Sequence, residues 1–340
     1  MPRPTRTNKR QARSPKIAGY RQAILAALTD ANGDFVSGEA IATSLGISRA
    51  AVWKHILALK GSGYDIGSIT NKGYRLTGAA DTLDPDLAGM AALAPEGFTI
   101  VHFESIDSTN RKALELAKAG VTAGTVVVSE EQVAGRGRMQ RAWVAPKGGI
   151  WFSPILRPSI PPHKAPLITL IAGVAVAQAI RDVCTLDARI KWPNDVLIGG
   201  KKVCGILTEM DAEMDHVNCV VVGIGINANN NLDALPPEVR SKVTSLKEEL
   251  GGPVPRPRLL KAVLQGFSGY ATVLNTEKDR QRFLKQWRSL SDTLGRRVRV
   301  ETVGETVEGE AVDIDAEGAL LVKVKGKVQR VLSGDCVHLR

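Results

Sequence analysis

The stretch Glu131-Gln132-Val133-Ala134-Gly135-Arg136-Gly137-Arg138-Met139-Gln140-Arg141-Ala142-Trp143 gathers two glycines, three arginines and a tryptophan between two apolar runs with strand character, Thr125–Ser129 and Ile150–Leu156. Glycine lets a backbone approach a ligand closely. Arginines at short spacing offer planar donors to phosphate or carboxylate oxygens. Trp143 adds a flat face for a ring. The stretch predicts a loop that holds an anionic ligand with an aromatic part, and a nucleotide is the obvious case. A nucleic-acid backbone, or plain solvent, would suit the same arginines, so this loop alone leaves the ligand class open.

Four further segments carry chemistry. Lys191-Trp192-Pro193-Asn194-Asp195 ends a predicted strand, Arg189–Trp192. A proline biases the residue before it towards extended backbone. Asn194 and Asp195 then either orient a ligand or a magnesium ion, or merely cap a turn. In Gly200-Lys201-Lys202-Val203-Cys204-Gly205-Ile206-Leu207, Lys202 starts the apolar strand Val203–Glu209. A charge there needs an anionic partner, unless it is an ordinary edge lysine. Gly199-Gly200 predicts a hairpin turn after Val196–Ile198. Val222-Gly223-Ile224-Gly225-Ile226-Asn227-Ala228 follows the strand Cys219–Ile224 and imitates the dinucleotide pattern G-x-G-x-x-A. The Asn- and Pro-rich segment 229–236 is not the helix which that pattern requires, and Asp233 is its nearby acid. Close approach of a flat ligand explains the glycines equally well. Ser108-Thr109-Asn110 opens a predicted helix, Ser108–Ala119, closed by Gly120. It is a plain N-cap or a place for a polar ligand group.

The rest of the chain sets the frame. Its 340 residues suit two or three domains. A hydrophobic fraction of 44% with only 4% aromatic residues predicts aliphatic cores. The net charge of +10 points to a polyanionic partner or a phosphate-bearing ligand. The cysteines Cys184, Cys204, Cys219 and Cys336 form no C-x-x-C pair and read as buried thiols in a reducing compartment. Residues 1–16 carry six basic side chains and no acid, which predicts a disordered arm. No long apolar stretch follows it before Asp30, so no signal peptide is expected. The apolar run Leu167–Ile180 contains Gln178, is short for a bilayer span, and reads as a buried helix. A cytoplasmic protein without membrane contact is the expectation. No long internal repeat is present.

Between residues 17 and 78, the predicted elements are a helix over Tyr20–Leu28, a second capped by Ser37 and ending at Gly46, and a third from Ser48 to about Lys60. Two extended segments follow, joined by Asn71-Lys72-Gly73. This is the pattern of a winged helix-turn-helix. Val52, Ile56 and Leu59 should be the buried stripe of the third helix, leaving Ser48, Arg49, Ala50, Trp53 and Lys54 to face a DNA groove, with Lys72 in the wing. Packing against another protein surface is the alternative use. Thr77–Asp86 reads as a linker. Residues 79–290 mix helices and strands as an α+β domain. Residues 291–340 hold short strands at Val298–Val300, Val307–Ile314, Ala319–Val324, Val328–Leu332 and Cys336–Leu339, which predict a small β-barrel.

Taken in order, D-S-T-N, Q-x-A-G-R-G-R, K-W-P-N-D, K-x-x-G-I-L and G-x-G-I-N resemble the bifunctional biotin protein ligases, which are also biotin-operon repressors. Any one motif is moderately specific; five in order are highly specific. The resemblance implies a central biotin/lipoate-ligase-like domain, an SH3-like C-terminal barrel, and adenylation of biotin by ATP with Mg²⁺. It implies that Ser108, Thr109, Asn110, Gln132, Gly135, Gly137, Gly205, Gly223 and Gly225 surround biotin. Arg136, Arg138 and Lys202 would hold the reacting carboxylate and phosphate. Arg141, Trp143, Lys191, Asn194, Asp195 and Asn227 would serve the nucleotide. The implied partners are the biotin carboxyl carrier protein of acetyl-CoA carboxylase, operator DNA and a second copy in a homodimer. The segment Ala228–Pro237 is more polar than the loop that family repressors fold over the adenylate. A lipoate ligase would use the same adenylation logic, and a pure transcription factor would need none of it.

Overall fold

The computed structural model describes residues 15–31, 33–61, 64–77, 81–88, 93–233, 235–302 and 304–339, and divides into two compact units, 1–89 and 90–340. The first unit holds helices α1 (Pro15–Asp30), α2 (Gly38–Leu45) and α3 (Arg49–Gly61), followed by β1 (Ile66–Ile69) and β2 (Gly73–Leu76). Helix α1 starts earlier than its apolar pattern, at Pro15, a residue whose fixed φ suits a first helical position. Residues 1–14 of the predicted basic arm lie outside the described residues. Ser37 accepts the Ala40 amide as cap of α2, and Gly46 closes that helix at φ +64°. This left-handed residue turns the chain into α3, whose Val52, Ile56 and Leu59 are buried with Ile24, Leu28 and Ile41. Strands β1 and β2 pair antiparallel from Ile66↔Leu76 to Ile69↔Gly73, and Val36 bridges Tyr74 on the other side of β2. The sequence thus yields its winged helix-turn-helix. The linker reading fails at its far end: Leu83 is fully buried, and the short helix Pro85–Ala88 is held by a hydrogen bond from the Tyr64 hydroxyl to the Leu87 carbonyl, 2.7 Å. Leu83 and Leu87 are the apolar residues that drive this.

The second unit is built on a seven-stranded sheet in the order β3-β4-β5-β9-β8-β7-β6, comprising β3 (Thr99–Phe103), β4 (Thr125–Ser129), β5 (Ile150–Leu156), β6 (Arg189–Lys191), β7 (Asp195–Ile198), β8 (Lys201–Ala212) and β9 (Val217–Ile226). Only β3 and β4 run parallel, and a crossover helix joins them, here numbered α4 (Thr109–Lys118). Ala113 and Ala117 of α4 pack on Val127, Ile155 and Val221. Strands β8 and β9 outrun the apolar stretches that predicted them, because each extends the other as a long hairpin to Ala212↔Val217. Helix α5 (Pro166–Cys184) packs against β8 and against a later helix, Arg256–Phe267. With the turn before it, this segment is long and apolar enough to cross a membrane, contrary to the sequence expectation, but 72% of its most apolar window is buried inside the protein, as befits a core helix. The G-x-G-x-x-A match leads into the turn 227–230 and not a helix, so it is no dinucleotide fold.

The C-terminal strands β10 (Arg297–Glu301), β11 (Thr306–Ile314), β12 (Leu320–Val324), β13 (Lys327–Val331) and β14 (Asp335–His338) form one antiparallel sheet in the order β13-β12-β11-β10-β14. The hydrogen-bonded ladder is open, with β13 and β14 at its edges. This sheet is fastened to the central one: the Trp192 amide donates to Thr293 Oγ1 at 2.9 Å, and its indole N–H to the Gly318 carbonyl at 3.1 Å.

Candidate active site

A cavity of about 360 Å³ opens over the ends of β8 and β9, lined by residues of all five segments singled out in the sequence. Its floor owes its shape to glycine. Gly205 and Gly225 are register partners on β8 and β9. A Cβ at Gly205 would stand 3.0 Å from the Trp143 ring and 3.1 Å from Lys202 Cε, and one at Gly225 would stand 2.8 Å from Trp143 Nε1. The flat group lying on these bare positions is therefore Trp143 itself. At Gly223 a Cβ would come within 2.1 Å of Asn110 Oδ1, so this glycine makes room for a protein side chain.

One wall is the start of α4. Ser108 caps the helix, and Thr109 gives both its amide and its hydroxyl to Gln132 Oε1, at 2.8 and 3.1 Å. Ser153 donates to Thr109 Oγ1 or Asn110 Oδ1, at 2.8 and 2.7 Å. Asn110 in turn donates to the Leu207 carbonyl at 3.0 Å and to Glu209 at 2.7 Å. The helix start and the Gln132 end of the arginine loop are thus one network. Glu209 also faces Arg136 at 3.2 Å through both carboxylate oxygens.

The arginine loop forms the other wall. Met139 and Gln140 take positive φ, 52° and 60°, which throws Arg138 and Arg141 in different directions. Arg138 is half-buried and donates to Asn194 Oδ1 at 3.0 Å, while Asn194 Nδ2 holds the Ile206 carbonyl at 3.0 Å. Burial pulls the Arg138 guanidinium below its ordinary value, against the pull of Asp335 and Asp195, yet an arginine keeps its charge in a protein. Arg141 pairs with Asp335 of the C-terminal sheet at 2.5 Å. Lys202 Nζ lies 2.7 Å from Asp195 Oδ1 and 5.1 Å from the centre of the Trp143 ring. The lysine satisfies the carboxylate by charge but not in a hydrogen-bond direction: Asp195 Oδ1 has no hydrogen-bond partner, and neither does buried Trp143 Nε1. Two unanswered polar atoms, three arginines and a lysine around one hollow are what a polar, anionic ligand would complete.

Three expected site residues lie apart from the cavity lining. Gly135 is pressed against Trp143, where a Cβ would meet the Trp143 carbonyl oxygen at 2.4 Å, so this glycine shapes the loop. Asn227 is buried with its side chain turned to the Thr244 carbonyl at 3.1 Å. It holds the segment 243–246, which brings Val243 to the cavity edge. Lys191 is not in the lining, but its charge acts on Asp335, Cys336 and His338. Two contributors were not expected. Glu209 is legible in hindsight, since it follows Gly205 and Leu207 at a spacing of two on one strand face. Asp335 is 194 residues from Arg141, and no local pattern announces it.

In the first unit, Ser48 accepts the Ala51 amide at 3.2 Å and starts α3, while Arg49, Ala50, Trp53, Lys54 and Lys72 are all exposed. Trp53 is 53% exposed, unusual for a tryptophan. Arg49 meets Glu39 at 3.5 Å, a solvent-facing pair of little energy. A groove runs between α3 and the β1–β2 turn, lined by Arg49, Trp53, Lys60 and Asn71.

Comparison with known proteins settles the family. The model of the biotin/lipoate A/B protein ligase family matches residues 102–227, that of an HTH domain residues 21–75, and that of the biotin protein ligase C terminal domain residues 293–339. The bifunctional ligase/repressor BirA of Bacillus spizizenii is 39% identical over 318 residues, 93% of this chain and 97% of the relative. The chain belongs to the biotin protein ligase family. Within the family it carries the helix-turn-helix domain of the bifunctional ligase/repressors. The biotin–[acetyl-CoA-carboxylase] ligase of Mycobacterium tuberculosis is 35% identical over 68% of this chain and 86% of its own length. Among solved structures, the biotin protein ligase of Aquifex aeolicus in complex with biotin and ATP superposes with a TM-score of 0.61 at 29% identity, covering 71% of this chain and 99% of that one.

Proposed function

We propose that this family member activates biotin with ATP in the cavity over Gly205 and Gly225 and transfers it to a lysine of the biotin carboxyl carrier protein of acetyl-CoA carboxylase. The observation that carries this is the convergence of Arg136, Arg138 and Lys202 on a hollow whose floor is cleared by paired glycines. In the first step a biotin carboxylate oxygen attacks the α-phosphorus of ATP. An O–P bond forms, the bond to the β,γ-phosphates breaks, and pyrophosphate leaves. Carboxylate and phosphate repel each other, so the step needs cations held close to where the charge develops. Arg138 is the best prepared, being oriented by Asn194 before any ligand arrives. Arg136 must exchange Glu209 for substrate, and Lys202 moves from Asp195 to the phosphate over a short path.

Magnesium would enter with the triphosphate. It keeps several waters and binds through one or two carboxylates plus phosphates. Asp195 and Asp335 are the carboxylates that line the cavity, and among the described residues no group of three or more His, Cys, Asp or Glu is gathered into a protein-only metal site. In the second step the carrier's amine attacks the acyl carbon of the biotinyl adenylate and AMP departs.

The winged helix makes the same chain a DNA-binding repressor, with α3 in the major groove and Lys72 on a phosphate. A homodimer would present two such helices to the two halves of an operator. The four cysteines are free and buried, which favours a reducing, cytoplasmic setting. Incubation with biotin, ATP, Mg²⁺ and a carrier domain, followed by peptide mass mapping, tests the activity. One lysine of the carrier should gain a biotin amide; a carrier of unchanged mass would contradict it.

A further inference from the structure

A second hollow, of about 200 Å³, lies behind the first and shares Arg138, Asn194, Ile206 and Leu207 with it. It is a slot between the start of α5, the Pro193 turn and strand β8. Its outer end lies at Met210, 46% exposed, and at exposed Ser333. Leu170 and Ile206 on its sides are buried, and a pair of hydroxyls, Thr169 and Thr208, bond each other at 2.7 Å on its wall. Arg138 is the one charged residue among those that line it; none is a carboxylate. The adenylation step described above uses none of Leu170, Thr169, Thr208 or Met210.

Chemistry selects an occupant. A lysine side chain has five heavy atoms beyond Cα. Four of them are methylenes that suit apolar walls, and the fifth must arrive at the acyl carbon as a neutral amine. At pH 7.4 an ordinary lysine amine, of pKa about 10.4, is neutral about once in a thousand. Removal from water and a neighbouring cation both push an amine towards its neutral form. The slot supplies both, the apolar walls and Arg138. Asp195 and Asp335 line the first cavity and not the slot.

We propose that this slot admits the acceptor lysine of the carrier, which enters past Met210 and Ser333 and brings its amine beside Arg138 in neutral form. The inference rests on the ligase reading above. The ammonium proton is left to solvent at the mouth. The nitrogen lone pair then forms the C–N bond, the second proton passes to water, and the acyl C–O bond breaks with its electrons leaving on AMP. Arg138 thereby has two duties, holding the adenylate and discouraging protonation of the attacking amine.

Two substitutions outside the adenylation machinery test this, with biotin-dependent ATP–pyrophosphate exchange as the control. Met210→Trp narrows the mouth and should lower transfer to a purified carrier domain at least tenfold, with exchange within twofold of the parent. Thr169→Asp places a carboxylate in the slot and should shift the pH dependence of transfer to the alkaline side while leaving exchange in place. Parental transfer rates and an unchanged pH profile in both variants would overturn the slot. So would equal losses of exchange and transfer, which would make these residues part of the adenylation site. Failure of exchange in the parent protein would instead overturn the ligase activity itself.

Discussion

Replacing Lys202 by alanine isolates the charge on which adenylation depends most. Its ammonium sits 2.7 Å from Asp195, and the two side chains are 28% and 20% exposed. Loss of one such fixed donor from a site that stabilises developing charge costs about 10²–10³ in rate, or about 3–4 kcal/mol. A second effect adds to it. Without the lysine, Asp195 turns an unmatched negative charge on the incoming phosphates; at an effective dielectric constant of about 20, two charges 4 Å apart interact by about 4 kcal/mol, an upper bound for groups this exposed. Biotin-dependent pyrophosphate exchange in Lys202→Ala should therefore fall by at least about a hundredfold. Adding Asp195→Asn should not restore exchange, because it removes the repulsion together with a carboxylate that would hold magnesium and does not replace the cation. The fold should be indifferent, since a partly exposed pair contributes under about 1 kcal/mol. Exchange within fivefold of the parent in Lys202→Ala, or full recovery in the double variant, would refute the assignment.

Three other outcomes are expected. Arg138→Ala removes the oriented guanidinium that holds the adenylate, so biotinyl-AMP should escape about ten times faster and label lysines of bystander proteins, read by blotting for biotin; an unchanged escape rate counts against it. Arg256 is 3% exposed and meets Glu130 at 2.7 Å and the Gly149 carbonyl at 2.9 Å, so Arg256→Ala should lower unfolding stability in urea by about 3 kcal/mol, and a loss under 1 kcal/mol would be inconsistent with a buried pair. Burial, helped by Lys191 and opposed by Asp292, pushes His338 down to about 4. Its folded value lies below its unfolded one, so the unfolded chain takes up the proton first. Stability should be unaffected above about pH 6.5 and decline as the pH falls towards 4, by on the order of 3 kcal/mol, and His338→Gln should flatten that part of the curve.

Much of this was legible in the chain. The period of Val52, Ile56 and Leu59 gave the buried face of α3, and Gly46 the turn before it, because helical periodicity and a left-handed residue are local facts. The five motifs gave most of the cavity lining, since strands place alternate residues on one face and each motif sits at a strand end or helix start. What escaped was set by distance along the chain. Asp335 reaches Arg141 through the docking of the C-terminal sheet. Asn227 looked like a ligand group but bonds Thr244, whose position depends on the return of the 228–245 segment along Lys202. The role of the glycines was half-read: a flat group does lie on Gly205 and Gly225, and it is Trp143. The end of the supposed linker was misjudged because Leu83 and Leu87 are too sparse to show a period, yet Leu83 is buried and Leu87 packs against the core of the first unit.

Everything proposed for this chain depends on biotin and ATP reacting in the cavity over Gly205 and Gly225. ATP–pyrophosphate exchange measured with biotin, with lipoate and with neither tests it most directly. Exchange should depend on biotin and vanish in its absence. Exchange driven by lipoate alone, or none with either acid, would contradict it.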